Sequence, residues 1–177
     1  MLILAGVGAG PKGDFESIAT TTVGSGGSST ITFSSIPSTY KHLQVRYISR
    51  DSNGQHLSFK ANNDSGSNYA FHRLAGNGSS ASALASAGRT DMVINQGGTS
   101  TTANIFNAGV VDILDYADTN KYKTIRTLNG VDYNGSGYVE LISNLWMSTS
   151  AISTLTFAPF VGSFSEYTQL ALYGIKG

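Results

Sequence analysis

The 177 residues contain no cysteine, so no disulfide framework staples the chain and no thiolate holds a metal. Charge is scarce as well: Asp, Glu, Lys and Arg make up 12% of the sequence, about half of the ~25% usual in soluble domains. The eleven basic and eleven acidic residues cancel, and no Lys/Arg cluster stands out. Binding a phosphate backbone requires several closely placed cations, which argues against nucleic acid as a main ligand and against anionic membrane surfaces. Long apolar runs are also missing. Residues 1–9 are apolar but far too short to span a bilayer, and they lack the positively charged start of a secretion signal, so membrane insertion is not expected.

Small polar residues take the place of charge. Ser, Thr, Gly and Asn number 24, 17, 21 and 12, a bias that suits turns and the solvated faces of strands and opposes helix. Nine Tyr and eight Phe within a 40% hydrophobic fraction provide the apolar material for a core between two sheets ~10 Å apart. The composition therefore predicts an all-β protein, an antiparallel β-sandwich of jelly-roll-like type with about ten strands. A single sandwich domain is expected over 14–177, preceded by an N-terminal arm over 1–13.

Period-two alternation and turn residues locate the strands. Residues 15–23 and 29–36 read as a first hairpin around Gly24-Ser25-Gly26-Gly27-Ser28, with Pro37 ending the second strand because it has no N–H to donate. Residues 41–50 place Leu43, Val45 and Tyr47 on one face and His42, Gln44, Arg46 and Arg50 on the other. Further strands are expected over 56–61, 68–75, 90–95, 104–116, 121–128, 138–147, 153–159 and 167–175. Gly109 would mark a bulge in the long one. Asn134-Gly135 is a strong turn signal. The Ser/Ala/Gly-rich stretch 76–88 is weakly patterned and reads as a loop.

Catalytic chemistry finds no motif. His42, His56 and His72 are the only side chains whose unperturbed pKa lies near neutrality, and none has a supporting acid, nucleophile or metal pattern in sequence. No G-x-S-x-G occurs. Asp112, Asp115 and Asp118 are evenly spaced, but residues three apart on a strand point to opposite faces. Turn formation alone accounts for Asn62, Asn63 and Asp64. A non-enzymatic protein without cofactor or metal is expected. Tyr69, Tyr133, Tyr138 and Trp146 are the candidates for stacking on a glycan or for an interface, although Leu145-Trp146-Met147 also suits a core.

Several segments resemble small virion proteins of tailed bacteriophages. They are Phe15-Glu16-Ser17-Ile18-Ala19-Thr20, the run from Ile31-Thr32-Phe33 through Tyr40-Lys41-His42-Leu43, Asn68-Tyr69-Ala70-Phe71-His72-Arg73-Leu74, and the ending Leu170-Ala171-Leu172-Tyr173-Gly174-Ile175-Lys176. The resemblance implies a structural or adhesive protein of the virion, assembled in the host cytoplasm. Members of this group serve as head decoration or as tail-fibre and receptor-binding components. The implied partners are copies of itself, a phage capsid or tail protein, and a host surface glycan. A carbohydrate-binding or receptor-binding adhesin module is the alternative. Met1, Leu2, Ile3, Leu4 and Val7 offer apolar area beside glycines that let the segment reach across a boundary, so residues 1–13 are expected to dock on a neighbouring subunit or the underlying shell, in a homotrimer.

Overall fold

A computed structural model describes residues 13–177; the arm residues Met1, Leu2, Ile3, Leu4 and Val7 lie outside the described residues. Among the described residues there are twelve strands and no helix: β1 (Phe15–Thr22), β2 (Ile31–Phe33), β3 (His42–Ser49), β4 (Leu57–Ala61), β5 (Tyr69–Gly76), β6 (Ala81–Arg89), β7 (Met92–Asn95), β8 (Asn107–Ile113), β9 (Lys123–Asp132), β10 (Gly137–Trp146), β11 (Leu155–Pro159) and β12 (Gln169–Ile175). Eight form one sheet in the order β1-β12-β3-β8-β9-β10-β5-β6, and four form a second in the order β2-β11-β4-β7. All pairings are antiparallel.

Setting aside β5, β6, β9 and β10 leaves β1-β12-β3-β8 against β2-β11-β4-β7. The chain then changes sheet at every step except β4–β7, which stays within the narrow sheet, and this is the jelly-roll wrap. The hairpins β5–β6 and β9–β10 are insertions in that wrap, and both extend the same edge of the first sheet. One sheet is consequently twice as wide as the other.

Under the jelly-roll strands the core is apolar. Leu43, Val45 and Tyr47 of β3, Val111 and Ile113 of β8, and Leu170 and Leu172 of β12 face Ile31, Phe33, Leu57, Phe59, Leu155 and Phe157 of the narrow sheet, all buried. The Phe59 and Phe157 rings stack at 5.0 Å between centroids, and Phe33 meets Phe157 edge-on at 6.1 Å. Gly109 makes no bulge, since the β3–β8 and β8–β9 registers run through it without a shift. It clears space for Tyr47 instead: a Cβ there would lie 2.6 Å from the ring.

Under β9 and β10 buried polar side chains join the interior beside Ile125, Ile142 and Trp146. Asn144 copies a neighbouring strand for β7: its Oδ1 accepts the Val93 N–H at 3.1 Å and its Nδ2 donates to the Val93 carbonyl at 2.8 Å. Asn129 Nδ2 donates to the Ile94 carbonyl at 2.8 Å, and the buried Glu140 accepts the Gln96 N–H at 3.0 Å while Arg73 Nε donates to it at 2.5 Å. Side chains of the wide sheet thus close an edge of the narrow one that would otherwise expose unpaired backbone groups. Lys123 is also buried, its ammonium donating to the carbonyls of Asp118, Lys121 and Thr149, and burial pushes its pKa down.

Two further sequence expectations need correction. The segments flanking Gly24-Ser25-Gly26-Gly27-Ser28 do not form a hairpin: β1 pairs with β12 and β2 with β11. A glycine-rich linker imposes no register, so each strand follows its own apolar face to a different sheet. Residues 76–88 are not a loop, because β6 occupies most of them; its burial pattern is almost wholly exposed, so no alternation of apolar and polar residues was needed. The all-β sandwich is as expected, with twelve strands among the described residues for the ten or so anticipated.

Candidate functional site

The inner face of the wide sheet meets the narrow sheet, which leaves its outer face open to solvent. Cross-strand register arranges that face in three rows running from β12 to β6. The first is Gln169, Ile48, Ala108, Gly130, Val139, Gly76 and Ala81. The second is Ala171, Arg46, Val110, Leu128, Leu141, Leu74 and Ala83, and the third is Tyr173, Gln44, Asp112, Arg126, Ser143, His72 and Ala85. Two apolar rows therefore lie beside a polar one.

The apolar rows are well exposed: Leu74 and Leu128 are each 57% accessible, Val139 60%, Leu141 53% and Ile48 44%. Isolated exposed aliphatics are ordinary on protein surfaces, but a contiguous block of them marks an interaction surface. Relief adds to the pattern. Ala108, Gly130 and Ala171 are small, so a hollow of about 550 Å³ opens between Arg46, Ile48, Leu128 and Val139. At the polar margin, Gln44 Nε2 donates to Asp112 at 2.9 Å and Arg46 Nε donates to Gln44 Oε1 at 2.9 Å. The Arg46 guanidinium also lies 5.6 Å from the Phe15 ring centre and 5.1 Å from that of Tyr173.

The aromatic candidates occupy different places. Tyr69 and Trp146 are core residues, stacked at 6.4 Å, so neither ring presents a face to solvent. Trp146 Nε1 donates to Asp64 Oδ2 at 2.8 Å, and that bond, followed by one from Asn68, holds the Asp64 carboxyl below the usual carboxylate range. The Asn62–Ser67 turn is therefore a clamp on the core. Tyr138 is half-buried and points inward, its hydroxyl engaging Asn95, Asn107 and the Gly98 carbonyl; burial is the main cause of its raised pKa. Tyr133 is half-buried near the β9–β10 turn, where Asn134 and Gly135 take the positive φ values of 63° and 112° that this turn requires. Beside that turn a second hollow, of about 520 Å³, is bordered by Asn77, Phe106, Asp132 and Tyr138.

The three histidines do not converge. His42 Nδ1 accepts the Asp115 N–H at 2.9 Å, His56 stacks on Phe160 at 4.3 Å with its pKa lowered by burial, and His72 lies on the outer face. The three aspartates serve separate turns and strands. Asp112 is on the outer face; Asp115 pairs with Lys121 at 2.5 Å and Lys41 at 2.9 Å, which hold its carboxyl down at about 2; Asp118 caps the Asn120 N–H at 2.7 Å. Among the described residues no group of three or more acidic or imidazole side chains is placed to hold a metal.

Sequence reading passed over Leu74, Leu128, Val139 and Leu141. In β10 the buried face carries Glu140, Ile142, Asn144 and Trp146 and the other face Val139 and Leu141, so both faces contain large apolar residues and alternation alone does not choose between them. Edge bonds to β7 decide it by drawing Glu140 and Asn144 inward. Compared with known proteins, the chain matches no family model, no curated protein and no solved structure.

Proposed function

We propose that this protein is a structural component of a tailed-bacteriophage virion, carried on the particle surface and acting by assembly and binding, either as capsid decoration or as part of a tail fibre. The observation that carries the reading is the contiguous apolar block on the outer face of the wide sheet, built from Ile48, Leu74, Leu128, Val139 and Leu141. Such a surface gains by being covered, and a particle presents copies of a neighbour at fixed spacing. The virion assignment itself rests on the quoted sequence segments. A second reading, a glycan-binding adhesin, draws on the hollow that combines Phe106 with Asn77 and Asp132.

Immunogold labelling of the parent particle, viewed by electron microscopy, tests the assignment. Gold on the head shell supports decoration and gold on the tail supports the fibre. Particles that carry no label while the protein is present in infected cells overturn it.

A further inference from the structure

We infer that two copies of this chain join edge to edge through β6, in antiparallel register centred on Leu84. β6 ends the wide sheet, and its far edge has no partner strand among the described residues. Edges of this kind are usually blunted by charge, proline or a covering segment. Here Ala81 to Gly88 carries no charge and no proline, the strand runs nine residues, and both of its faces are largely exposed.

The sequence of the edge identifies the occupant. Ala81-Ser82-Ala83-Leu84-Ala85-Ser86-Ala87 reads the same in both directions about Leu84. Two identical antiparallel strands related by a two-fold axis at Leu84 therefore set Ala81 opposite Ala87, Ser82 opposite Ser86, Ala83 opposite Ala85, and Leu84 opposite itself. Like meets like on each face, as an isologous contact requires. Leu84, 45% exposed in the single chain, is covered by its own counterpart.

Backbone phase agrees with this register. At the β5–β6 turn the Asn77 N–H donates to the Ser80 carbonyl, with Asn77 and Ser80 continuing the Gly76–Ala81 register. Antiparallel alternation from that pair turns the backbone groups of Ser82, Leu84 and Ser86 toward β5. Those of Ala81, Ala83 and Ala85 face the open edge, and the proposed register sets Ala83 opposite Ala85; the regular stretch ends at Ser86, beyond which the β5–β6 register shifts around Ala87 and Gly88.

The joined sheets keep their outer faces on the same side, because opposite residues in an antiparallel pair share a face. The row ending at Ala83 meets Ala85 of the second copy and so passes into that copy's polar row, which leaves the two apolar blocks on the same side of the joined sheet, diagonally across the seam. This edge contact deepens the assembly reading, yet fails separately from it. A two-fold contact has the dimer as its smallest product, whereas the arm suggested a trimer.

The lack of native cysteine makes a register-specific test direct. In Leu84→Cys the two thiols sit across a directly opposed pair, ~4.5–5.5 Å between Cβ atoms, within reach of a disulfide. In Ala81→Cys the counterpart lies six residues away along the strand, ~20 Å. Under mild copper-catalysed oxidation Leu84→Cys is expected to form a covalent dimer at least tenfold faster than Ala81→Cys. Adding Ala85→Pro, which removes an edge N–H that β5 does not use, should abolish the cross-link while circular dichroism retains the β spectrum. Equal cross-linking of the two cysteine variants, or a Leu84→Cys protein that stays monomeric with a reactive thiol, overturns the proposal. Gold-labelled particles with no Leu84→Cys dimer would sink the edge contact alone; dimers without labelled particles would sink the virion assignment alone.

Discussion

Beneath β3, β8 and β12 the two sheets meet through aliphatic and aromatic side chains; beneath β9 and β10 the polar Asn129, Glu140 and Asn144 join the apolar Ile125, Ile142 and Trp146. The first contact is non-directional and scales with the area removed from water. The polar part of the second is directional and depends on each amide and carboxylate finding the backbone of β7. On the solvent side both parts mix the two kinds of residue. The jelly-roll strands bring Ile48 and Val110 beside Gln44, Arg46 and Asp112, and the added strands bring the most exposed aliphatics of the block, Leu74, Leu128, Val139 and Leu141, beside Arg126, Ser143 and His72. A hairpin inserted into the wrap thus closes a sheet edge with its inner polar residues and frees its aliphatics for contact outside the chain.

The largest expected effect lies in the apolar half. Phe157 is fully buried between Phe33 and Phe59, and Phe157→Ala should destabilise the protein by about 3–5 kcal/mol in denaturant unfolding, the range for large aromatic truncations. In the polar half, Asn144→Leu keeps the branched outline of the side chain but orphans the Val93 N–H and carbonyl; at ~1–3 kcal/mol for each unsatisfied group the gross cost is about 2–6 kcal/mol, which burial of the leucine methyls offsets to about 2–4 kcal/mol. Hydrogen exchange should localise that loss to β7. A cost under about 0.5 kcal/mol, which is typical of inert surface changes, would show that the amide cap does not hold the edge and would erase the contrast between the halves.

The joint between the halves has a pH signature. Asp115 sits in the β8–β9 connection with its carboxyl held at about 2 by Lys121 and Lys41, below the ordinary value of 3.8. A depressed carboxylate pKa means the unfolded chain binds the proton more tightly, so the contribution is complete above pH ~4 and is lost as pH falls toward 2. Thermal unfolding should therefore show a decline over that window that Asp115→Asn flattens. A decline of equal slope in the variant would assign the acid sensitivity elsewhere.

Much of the fold was readable from residues. Alternation in 41–50 gave the buried face of β3, and Asn134-Gly135 gave the β9–β10 turn. The jelly-roll class followed from strand content, but the pairing of β1 with β12 and of β2 with β11 is set by partners more than a hundred residues away, which no local pattern encodes. β6 was unreadable for the opposite reason: with almost nothing buried, its Ser and Ala carry no periodic signal. The candidate surface was hidden because Leu128 and Leu141 look like core residues until register shows their partners facing solvent, and Trp146 looked like a possible ring platform until its indole proved to be anchored on Asp64.

The smallest expected change in stability belongs to the outer face, where it separates an interaction surface from a packing surface. Leu74 and Leu141 are directly opposed on β5 and β10 and each is more than half exposed, at 57% and 53%. Substitutions at exposed positions away from cores and caps usually stay within about 0.5 kcal/mol. Leu74→Ser combined with Leu141→Ser should therefore leave the denaturation midpoint almost unchanged, with cross-strand serines still suited to the ladder. The same pair removes two of the largest side chains of the apolar block, so binding to the parent particle should fall at least tenfold in a co-sedimentation assay, the scale on which two centrally placed contacts act. Unchanged particle binding would show that these leucines take no part in assembly. A large drop in stability would mean instead that the outer face is packed within the free protein, and the contrast drawn between the two halves would fail on its solvent side.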